Sequence, residues 1–347
     1  MTLLRRVPSR YFLAPINTGF AVRGAPTDRL VAFHRNRSGH GIGISYVGNV
    51  AVGTQYATNE RTLVFSEERV EWERLVRTIH AAGSWAGVQV ACRASTEAAS
   101  RQWRSADLAE LRWAFERIAT DELDAIVGLF GSSARFASDA GFDVIQLHAA
   151  HGYLLSQALN PWLNIRRDEY GARPMLLLER VIEAVREAAP HCALDVRMSL
   201  SDGVATEEEE WGIREQQIAS VVEMGVDMVS LSSGMYEISR HLIYPSRAQG
   251  LAAYLPYGLY LAGRHVRMAW NVAGNVWQLP EAPEVLPENL SFSIGRPLIA
   301  DPLFIEKELR GERSSIRACD FNGACHYYTR GEPHLVCPVS EDLRPGW

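Results

Sequence analysis

Residues 141–170 read GFDVIQLHAAHGYLLSQALNPWLNIRRDEY, and this stretch is the most informative part of the chain. Its apolar run at 144–148 predicts a buried strand, and His148, His151 and Tyr153 follow at the carboxyl end of that strand. Two imidazoles and a phenol at one strand end can polarise a carbonyl group and protonate a neighbouring carbon. In a barrel of parallel strands, such chemistry lies at the carboxyl ends of the strands.

Short apolar runs rich in Val, Ile and Leu alternate with amphipathic stretches along the rest of the chain. Helical spacing of apolar residues at 178–188, and Thr206 followed by Glu209 as a capping box, indicate helices between these runs. Eight strand-then-helix units predict an α/β fold, a (β/α)8 TIM barrel with a C-terminal extension. A doubly wound sheet is the alternative, but it would place a G-x-G-x-x-G turn after its first strand, and none is there. The strands are expected at 11–16, 41–47, 87–91, 144–148, 194–198, 228–231, 266–271 and 292–295.

Two segments do not fit the eight units. Residues 93–120 follow the third predicted strand and are expected to form a capping loop with a short helix over the barrel mouth. Residues 312–347 contain three of the five cysteines and no further strand-then-helix unit. We therefore expect one barrel domain at 1–311, which includes the capping loop, and a cysteine-containing C-terminal tail at 312–347.

The composition is that of an ordinary globular chain: 347 residues, 47% hydrophobic and 22% charged. A net charge of −6 does not favour binding to nucleic acid or to an anionic membrane. No apolar run approaches the ~20 residues of a membrane span, and we expect no signal peptide, because the first residues lack an apolar core. An odd number of cysteines disfavours a closed disulfide framework. We expect a cytoplasmic protein with a small-molecule substrate. Whether it forms a homo-oligomer stays open.

Two glycine-bearing turns near the end of the chain suggest a phosphate site. Gly274 and Asn275 follow the seventh predicted strand, and Gly295 and Arg296 follow the eighth. Loops at these two positions of a barrel commonly bind phosphate, because their backbone N–H groups face the ligand.

Three polar residues at other strand ends suit a flat heterocycle. Asn17 and Gln89 can hydrogen-bond the edge of such a ring, and Arg197 can hold negative charge on it. Simpler readings remain open, with Arg197 as an ion-pair partner and Gln89 as a partner of backbone groups. Taken alone, the pair His148 and His151 also suits a metal site or two satisfied structural histidines.

Several sequence motifs occur together in this chain: LAPI around Pro15, VQV around Gln89, the block at 141–171, DVRMS around Arg197, and GRPLIADP from Gly295. With these motifs, the chain resembles the old yellow enzyme family, the FMN-containing ene reductases, over most of residues 13–311. The resemblance implies that His148 and His151 hydrogen-bond the activating carbonyl of the substrate and that Tyr153 protonates its α-carbon. It also implies a set of FMN contacts: Pro15, Ile16, Asn17, Val47, Gln89, Arg197, Gly274, Asn275, Gly295 and Arg296.

The resemblance implies the following reaction. NADH or NADPH reduces FMN, hydride from flavin N5 adds to the β-carbon of an enone-type or enal-type alkene, and the two imidazoles stabilise charge on the carbonyl oxygen. Altered motifs, such as VACRAST after Gln89 and the short ARP at 172–174, point to a specialised pathway intermediate as the substrate. Three alternatives remain open: a desaturase or dehydrogenase running the reverse oxidation with oxygen as acceptor, a non-catalytic ligand-binding barrel, and a metal-dependent hydrolase.

The tail resembles the iron–sulfur segment of the branch that contains 2,4-dienoyl-CoA reductase and trimethylamine dehydrogenase, which carries cysteines at C-x2-C-x3-C-x11-C spacing. Cys325 and Cys337 keep the last spacing, Phe321 stands at the second position, and Cys319 falls one residue out of register. Three thiolates are too few for an ordinary 4Fe–4S cluster, so we expect none. A remnant cluster, or a zinc ion held by these three cysteines and His326, remains an alternative. Because the further domains of this branch do not follow the barrel, we expect a diffusible nicotinamide or a separate partner to supply electrons.

Overall fold

Eight parallel strands close into a barrel in the computed structural model, which describes residues 2–65, 69–93, 107–280 and 285–344. The ring is complete because β1 pairs with both β2 and β9. The predicted (β/α)8 TIM barrel is confirmed. A ninth strand, β3 (Leu63–Val64), pairs only with β2 and lies outside the ring. The strands of the ring are β1 (Tyr11–Leu13), β2 (Ile44–Ala51), β4 (Trp85–Ala91), β5 (Val144–Ala149), β6 (Ala193–Ser199), β7 (Met228–Ser232), β8 (Ala269–Ala273) and β9 (Leu290–Ile294).

Helices surround the ring, as the alternation of strands and amphipathic stretches predicts. The longer helices are α1 (Asp28–Arg37), α2 (Arg69–Ala81), α3 (Leu108–Glu116), α4 (Thr120–Asp139), α7 (Leu176–Ala188), α8 (Glu207–Glu223) and α10 (Leu255–Arg264). The shorter ones are α5 (Leu154–Leu159), α6 (Glu169–Ala172), α9 (Arg240–Ile243), α11 (Arg296–Ala300) and α12 (Phe304–Leu309). Within the described ranges, no helix combines the length and the apolar character needed to cross a membrane.

The amino-terminal end of the barrel is filled with apolar side chains. Phe12, Ile44 and Met228 belong to one buried cluster there, and Leu3 and Val7 from the N-terminal segment pack against it. Because apolar side chains among the described residues fill this end, a ligand site is expected at the opposite end, where the strands terminate.

The segment after β4, where the capping loop is predicted, contains the helix α3. Residues 94–106 of that loop lie outside the described residues, but α3 follows them. Leu111 of α3 packs with Leu163 and Met235, which follow β5 and β7 respectively. This contact brings α3 to the side of the barrel where the strands end.

The C-terminal tail folds back onto the barrel and is held by polar contacts. The buried Asp301 accepts hydrogen bonds from Lys307 and from the backbone of Arg317. Asp342, near the end of the tail, binds the fully buried guanidinium of Arg37 in α1 at 2.8 Å. The tail is therefore tied to the barrel at both of its ends.

Candidate active site

A cavity of about 220 Å³ opens at the carboxyl ends of the strands. Twelve of the thirteen residues singled out in the sequence line it, which brings together residues from positions 15 to 296 of the chain. They are Pro15, Ile16, Asn17, Gln89, His148, His151, Tyr153, Arg197, Gly274, Asn275, Gly295 and Arg296.

Val47 is the predicted residue that the structure does not bring to the cavity. Its side chain is fully buried in the main core between the barrel and the helices. The register of β2 with β4 shifts between Val47 and Val50, and Asn49 lines the cavity instead. The sequence missed Asn49 because it predicted that the second strand ends at 47, whereas β2 continues to Ala51.

His148, His151 and Tyr153 meet at one wall of the cavity. The rings of His148 and His151 are perpendicular, with centroids 5.0 Å apart, and the rings of His148 and Tyr153 are 4.4 Å apart. His151 occupies the left-handed region (φ 62°) and is followed by Gly152 (φ 81°). This tight turn after β5 returns the Tyr153 side chain to the same cavity as the two imidazoles.

The surroundings of these three groups set their protonation. Burial, and then the charge of Arg197, hold the pKa of both His148 and His151 well below the usual value. Burial raises the pKa of Tyr153 far above its usual value. At neutral pH the site therefore presents two neutral imidazoles and a protonated phenol, and all three can donate a hydrogen bond.

Two residues that the sequence did not single out hold the phenol of Tyr153. Asn49 Nδ2 donates to the Tyr153 hydroxyl at 3.2 Å, and the Thr58 hydroxyl lies 3.0 Å from it. Asn49 lies in β2 and Thr58 in the segment that follows it, about 100 positions before Tyr153. No local motif signals this contact, because only the closure of the barrel brings the two segments together.

Arg197 lines the cavity, and part of its guanidinium has no hydrogen-bond partner among the described residues. Its Nη2 donates to the Ser232 hydroxyl at 3.1 Å, and that hydroxyl lies 2.8 Å from His151 Nε2. Arg197 Nε is buried and has no hydrogen-bond partner among the described residues. Arg197 forms no ion pair within the described residues. A buried cation of this kind suits a ligand that carries negative charge.

The two predicted phosphate-binding turns contact each other. Asn275 Nδ2 donates to the carbonyl oxygens of Ser246 and Gly250, which leaves its Oδ1 to accept from Arg296 Nη2 at 3.1 Å. Arg296 also donates to the carbonyl of Pro245 and forms no ion pair within the described residues. A guanidinium without a carboxylate partner at the end of a barrel strand is suited to bind a phosphate.

The tail closes one side of the cavity, which the sequence did not reveal. The Tyr327 hydroxyl donates to Asn17 Oδ1 at 3.0 Å, and Asn59 donates to the same hydroxyl. The His326 ring lies 4.0 Å from the ring of Tyr244, and burial lowers the pKa of His326 to about 4. The cavity-lining residues of the tail are Phe321, Cys325, His326, Tyr327, Tyr328 and Thr329.

Comparison with known proteins identifies the family. A family model described as "NADH:flavin oxidoreductase / NADH oxidase family" matches residues 6–313. The chain belongs to this family. It is 28% identical to an NADH oxidase of Thermoanaerobacter brockii over 90% of this chain and 50% of that protein. The chain thus spans about half the length of this relative.

Solved structures of other proteins show the same fold. A complex of 2-naphthoyl-CoA reductase matches 98% of this chain and 56% of its own, with a TM-score of 0.80 and 18% identity. Morphinone reductase matches 88% of this chain and 86% of its own, with a TM-score of 0.67 and 19% identity. The family membership confirms the resemblance to old yellow enzymes and the expectation of FMN with NADH or NADPH.

The cavity of this flavin oxidoreductase has the groups needed to hold FMN. Arg197 Nε and His148 Nδ1 are both buried without partners among the described residues, so they are available to a ligand. Elsewhere in the cavity wall, Arg296 would hold the phosphate, and Asn275 Oδ1 accepts a hydrogen bond from its guanidinium. Gly274 has φ 118°, and a Cβ there would lie 2.6 Å from the Tyr254 ring, so the turn requires glycine.

Within the described ranges, the structure does not gather the cysteines of the tail into a ligand set for a metal ion. None of the five cysteines, all of which lie within the described ranges, forms a disulfide. The ring of Phe321 packs against Arg296, whose guanidinium carbon lies 4.6 Å from the ring centroid. In the described ranges, no group of three or more His, Cys, Asp or Glu side chains could hold a metal ion.

Proposed function

We propose that this chain reduces the C=C bond of an activated carbonyl compound, of the enone or enal type, with FMN and NADH or NADPH. The observation that carries the proposal is the meeting of His148, His151 and Tyr153 in one cavity, each with a proton to donate at neutral pH. A donor pair and a separate acid are what a conjugated carbonyl needs during reduction, because charge builds up on its oxygen while its α-carbon takes a proton.

Each residue has a defined role in this proposal. FMN, when bound, supplies the hydride that adds to the β-carbon of the alkene. His148 and His151 donate hydrogen bonds to the carbonyl oxygen and stabilise its negative charge. Tyr153 gives its proton to the α-carbon, and Asn49, which donates to the phenolic oxygen, stabilises the resulting phenolate until solvent reprotonates it.

Aromatic side chains on the tail side of the cavity support a flat, conjugated substrate. Tyr236 lies with its ring centroid 5.9 Å from His151 and 6.2 Å from Tyr153. Tyr244 follows at 6.2 Å from Tyr236, and His326 packs on Tyr244. Rings of this kind favour planar ligands through offset and edge contacts. We propose that this surface selects the specialised substrate.

The first test separates the two halves of the reaction. We expect Tyr153→Phe to slow alkene reduction by about 10²–10⁴-fold, the usual contribution of a positioned acid. Reduction of FMN by NADPH should stay within about twofold, because that step needs no proton from Tyr153. Rapid-mixing absorbance of the flavin, recorded separately with NADPH and with an enone, measures both rates.

Tyr170→Phe is the matched control, since Tyr170 is a buried tyrosine that does not line the cavity. It should leave both half-reactions unchanged. Equal loss of both rates in Tyr153→Phe would contradict the role of Tyr153 as the acid. Release of peroxide from a saturated carbonyl compound, without turnover of an enone, would favour the reverse oxidation instead.

A further inference from the structure

A polar layer crosses the interior of the barrel directly below the cavity. Gln89, Gln146 and Asp195 occupy paired positions on the adjacent strands β4, β5 and β6. All three side chains are buried, and Asp195 is fully inaccessible to solvent. The interior of such a barrel is usually filled by Val, Ile and Leu, so a carboxylate in this layer needs an explanation.

Hydrogen bonds connect these three residues in a fixed direction. Asp195 Oδ2 accepts from Tyr46 at 2.8 Å, from Ser230 at 2.8 Å and from Gln146 Nε2. An ionised carboxylate can only accept, so Gln146 must turn its NH2 group toward Asp195 and its Oε1 toward Gln89. Gln89 Nε2 donates to that oxygen at 2.7 Å. The amide oxygen of Gln89 is then left for the cavity that Gln89 lines.

Asp195 is ionised at neutral pH despite its position. Burial raises its pKa to about 6, and the hydrogen bonds from Gln146, Tyr46 and Ser230 oppose that rise. Asp195 forms no ion pair within the described residues, and its Oδ1 has no hydrogen-bond partner there. An ionised carboxylate in a barrel interior costs free energy. Here the carboxylate fixes the orientation of the two side-chain amides, Gln146 and Gln89.

We propose that Asp195 is a positioning residue that acts through Gln146 to hold the amide oxygen of Gln89 toward the flavin ring. This inference rests on FMN occupying the cavity. The edge of the flavin ring has an N–H group between two carbonyl oxygens. An acceptor from Gln89 and the cationic donor Arg197, which lies two residues after Asp195 on β6, complement that pattern. A reversed Gln89 amide would place NH2 against the ring N–H.

The test measures FMN affinity and the midpoint potential of the bound flavin. Apo-protein is titrated with FMN, and quenching of flavin fluorescence gives the dissociation constant. Asp195→Asn replaces a carboxylate, which can only accept hydrogen bonds, by an amide that can face either way. Gln146→Leu removes the hydrogen bonds that connect Asp195 to Gln89. We expect each to weaken FMN binding about tenfold and to shift the potential, as loss of one oriented hydrogen bond predicts.

Two comparisons distinguish this relay of hydrogen bonds, from Asp195 through Gln146 to Gln89, from general damage to the barrel. Tyr46→Phe removes another hydrogen bond to Asp195 but leaves both amides oriented, so FMN affinity should change less than about twofold. In a Gln89→Leu background, Asp195→Asn should weaken FMN binding by less than a further factor of about two, because substitutions within one hydrogen-bonded relay are not additive. An equal loss in both backgrounds, or no loss in either single variant, would overturn the relay. Failure of the unaltered chain to bind FMN would overturn the proposed function as well.

Discussion

The Tyr153 hydroxyl shows how the behaviour of a single residue depends on its surroundings. On its own, a tyrosine near a strand end is as consistent with packing as with catalysis. In the structure, the side chain is buried beside two imidazoles, and Asn49 and Thr58 hold its oxygen. The sequence indicated which residue types would meet. Their protonation follows from burial, which only the folded chain imposes.

Alkene reduction should be insensitive to pH across the neutral range. Because the pKa values of His148 and His151 are lowered and that of Tyr153 is raised, none of the three changes its protonation between about pH 6.5 and pH 9. We expect the rate of flavin oxidation by an enone to vary less than about twofold over this interval. An apparent pKa near 6.5 that persists in Asp195→Asn would show that one imidazole has its ordinary pKa, because the pKa of Asp195 itself is about 6.

At the scale of elements, local sequence patterns predicted the eight strands of the ring with errors at their ends, and they did not predict the outer strand β3. The seventh strand was expected from 266, but β8 begins at Ala269, because Val266 lies in a turn with 68% of its surface exposed. The capping box that starts α8 was correct: Thr206 accepts from the backbone of Glu209, and the Glu209 side chain accepts from the backbone of Thr206. Capping is local in sequence, so it can be read without the fold.

Thr206→Ala should destabilise the protein by about 1 kcal/mol, the usual contribution of such a cap. The physical reason is that a backbone N–H in the first turn of α8 loses its partner. Chemical denaturation measures the free energy of unfolding. Ser220→Ala, on the same helix but away from its start, is the control and should cost less than about 0.5 kcal/mol. Equal effects of both substitutions would contradict the capping role.

At the scale of the whole molecule, the tail is part of the cavity wall and is held by polar contacts with the barrel. Tyr327 contacts Asn17 near the first strand, and Arg37 of α1 binds Asp342 near the end of the tail. Although burial opposes the shift, the hydrogen bond and the charge of Arg37 hold the pKa of Asp342 far below its usual value. These contacts join positions some 300 residues apart.

Asp342→Asn should loosen the tail, because it leaves the buried guanidinium of Arg37 without an anion. We expect a loss on the order of 2 kcal/mol, less than for a fully buried pair, since the Asp342 side chain is 26% exposed. Limited proteolysis should cleave the tail sooner, and FMN binding should weaken because the tail lines the cavity.

Glu341→Gln is the control for this test. Glu341 pairs with Arg317 at an exposed position, with side-chain exposures of 70% and 30%, so its loss should have little effect. Equal cleavage of both variants would show that the pair between Arg37 and Asp342 does not hold the tail.

By itself, the sequence determined the alternation of strands and helices, the residues at the strand ends, and the family to which they point. These are local properties, set by the spacing of apolar side chains and by short motifs. The tertiary structure alone decided that Asn49 and Thr58 hold Tyr153, that Val47 lies in the core, and that the tail completes the cavity. It also decided that Asp195 lies where it can orient the side-chain amides of Gln146 and, through it, Gln89. The physical reason is that burial and hydrogen bonding between distant segments depend on closure of the barrel, which no single stretch of sequence encodes.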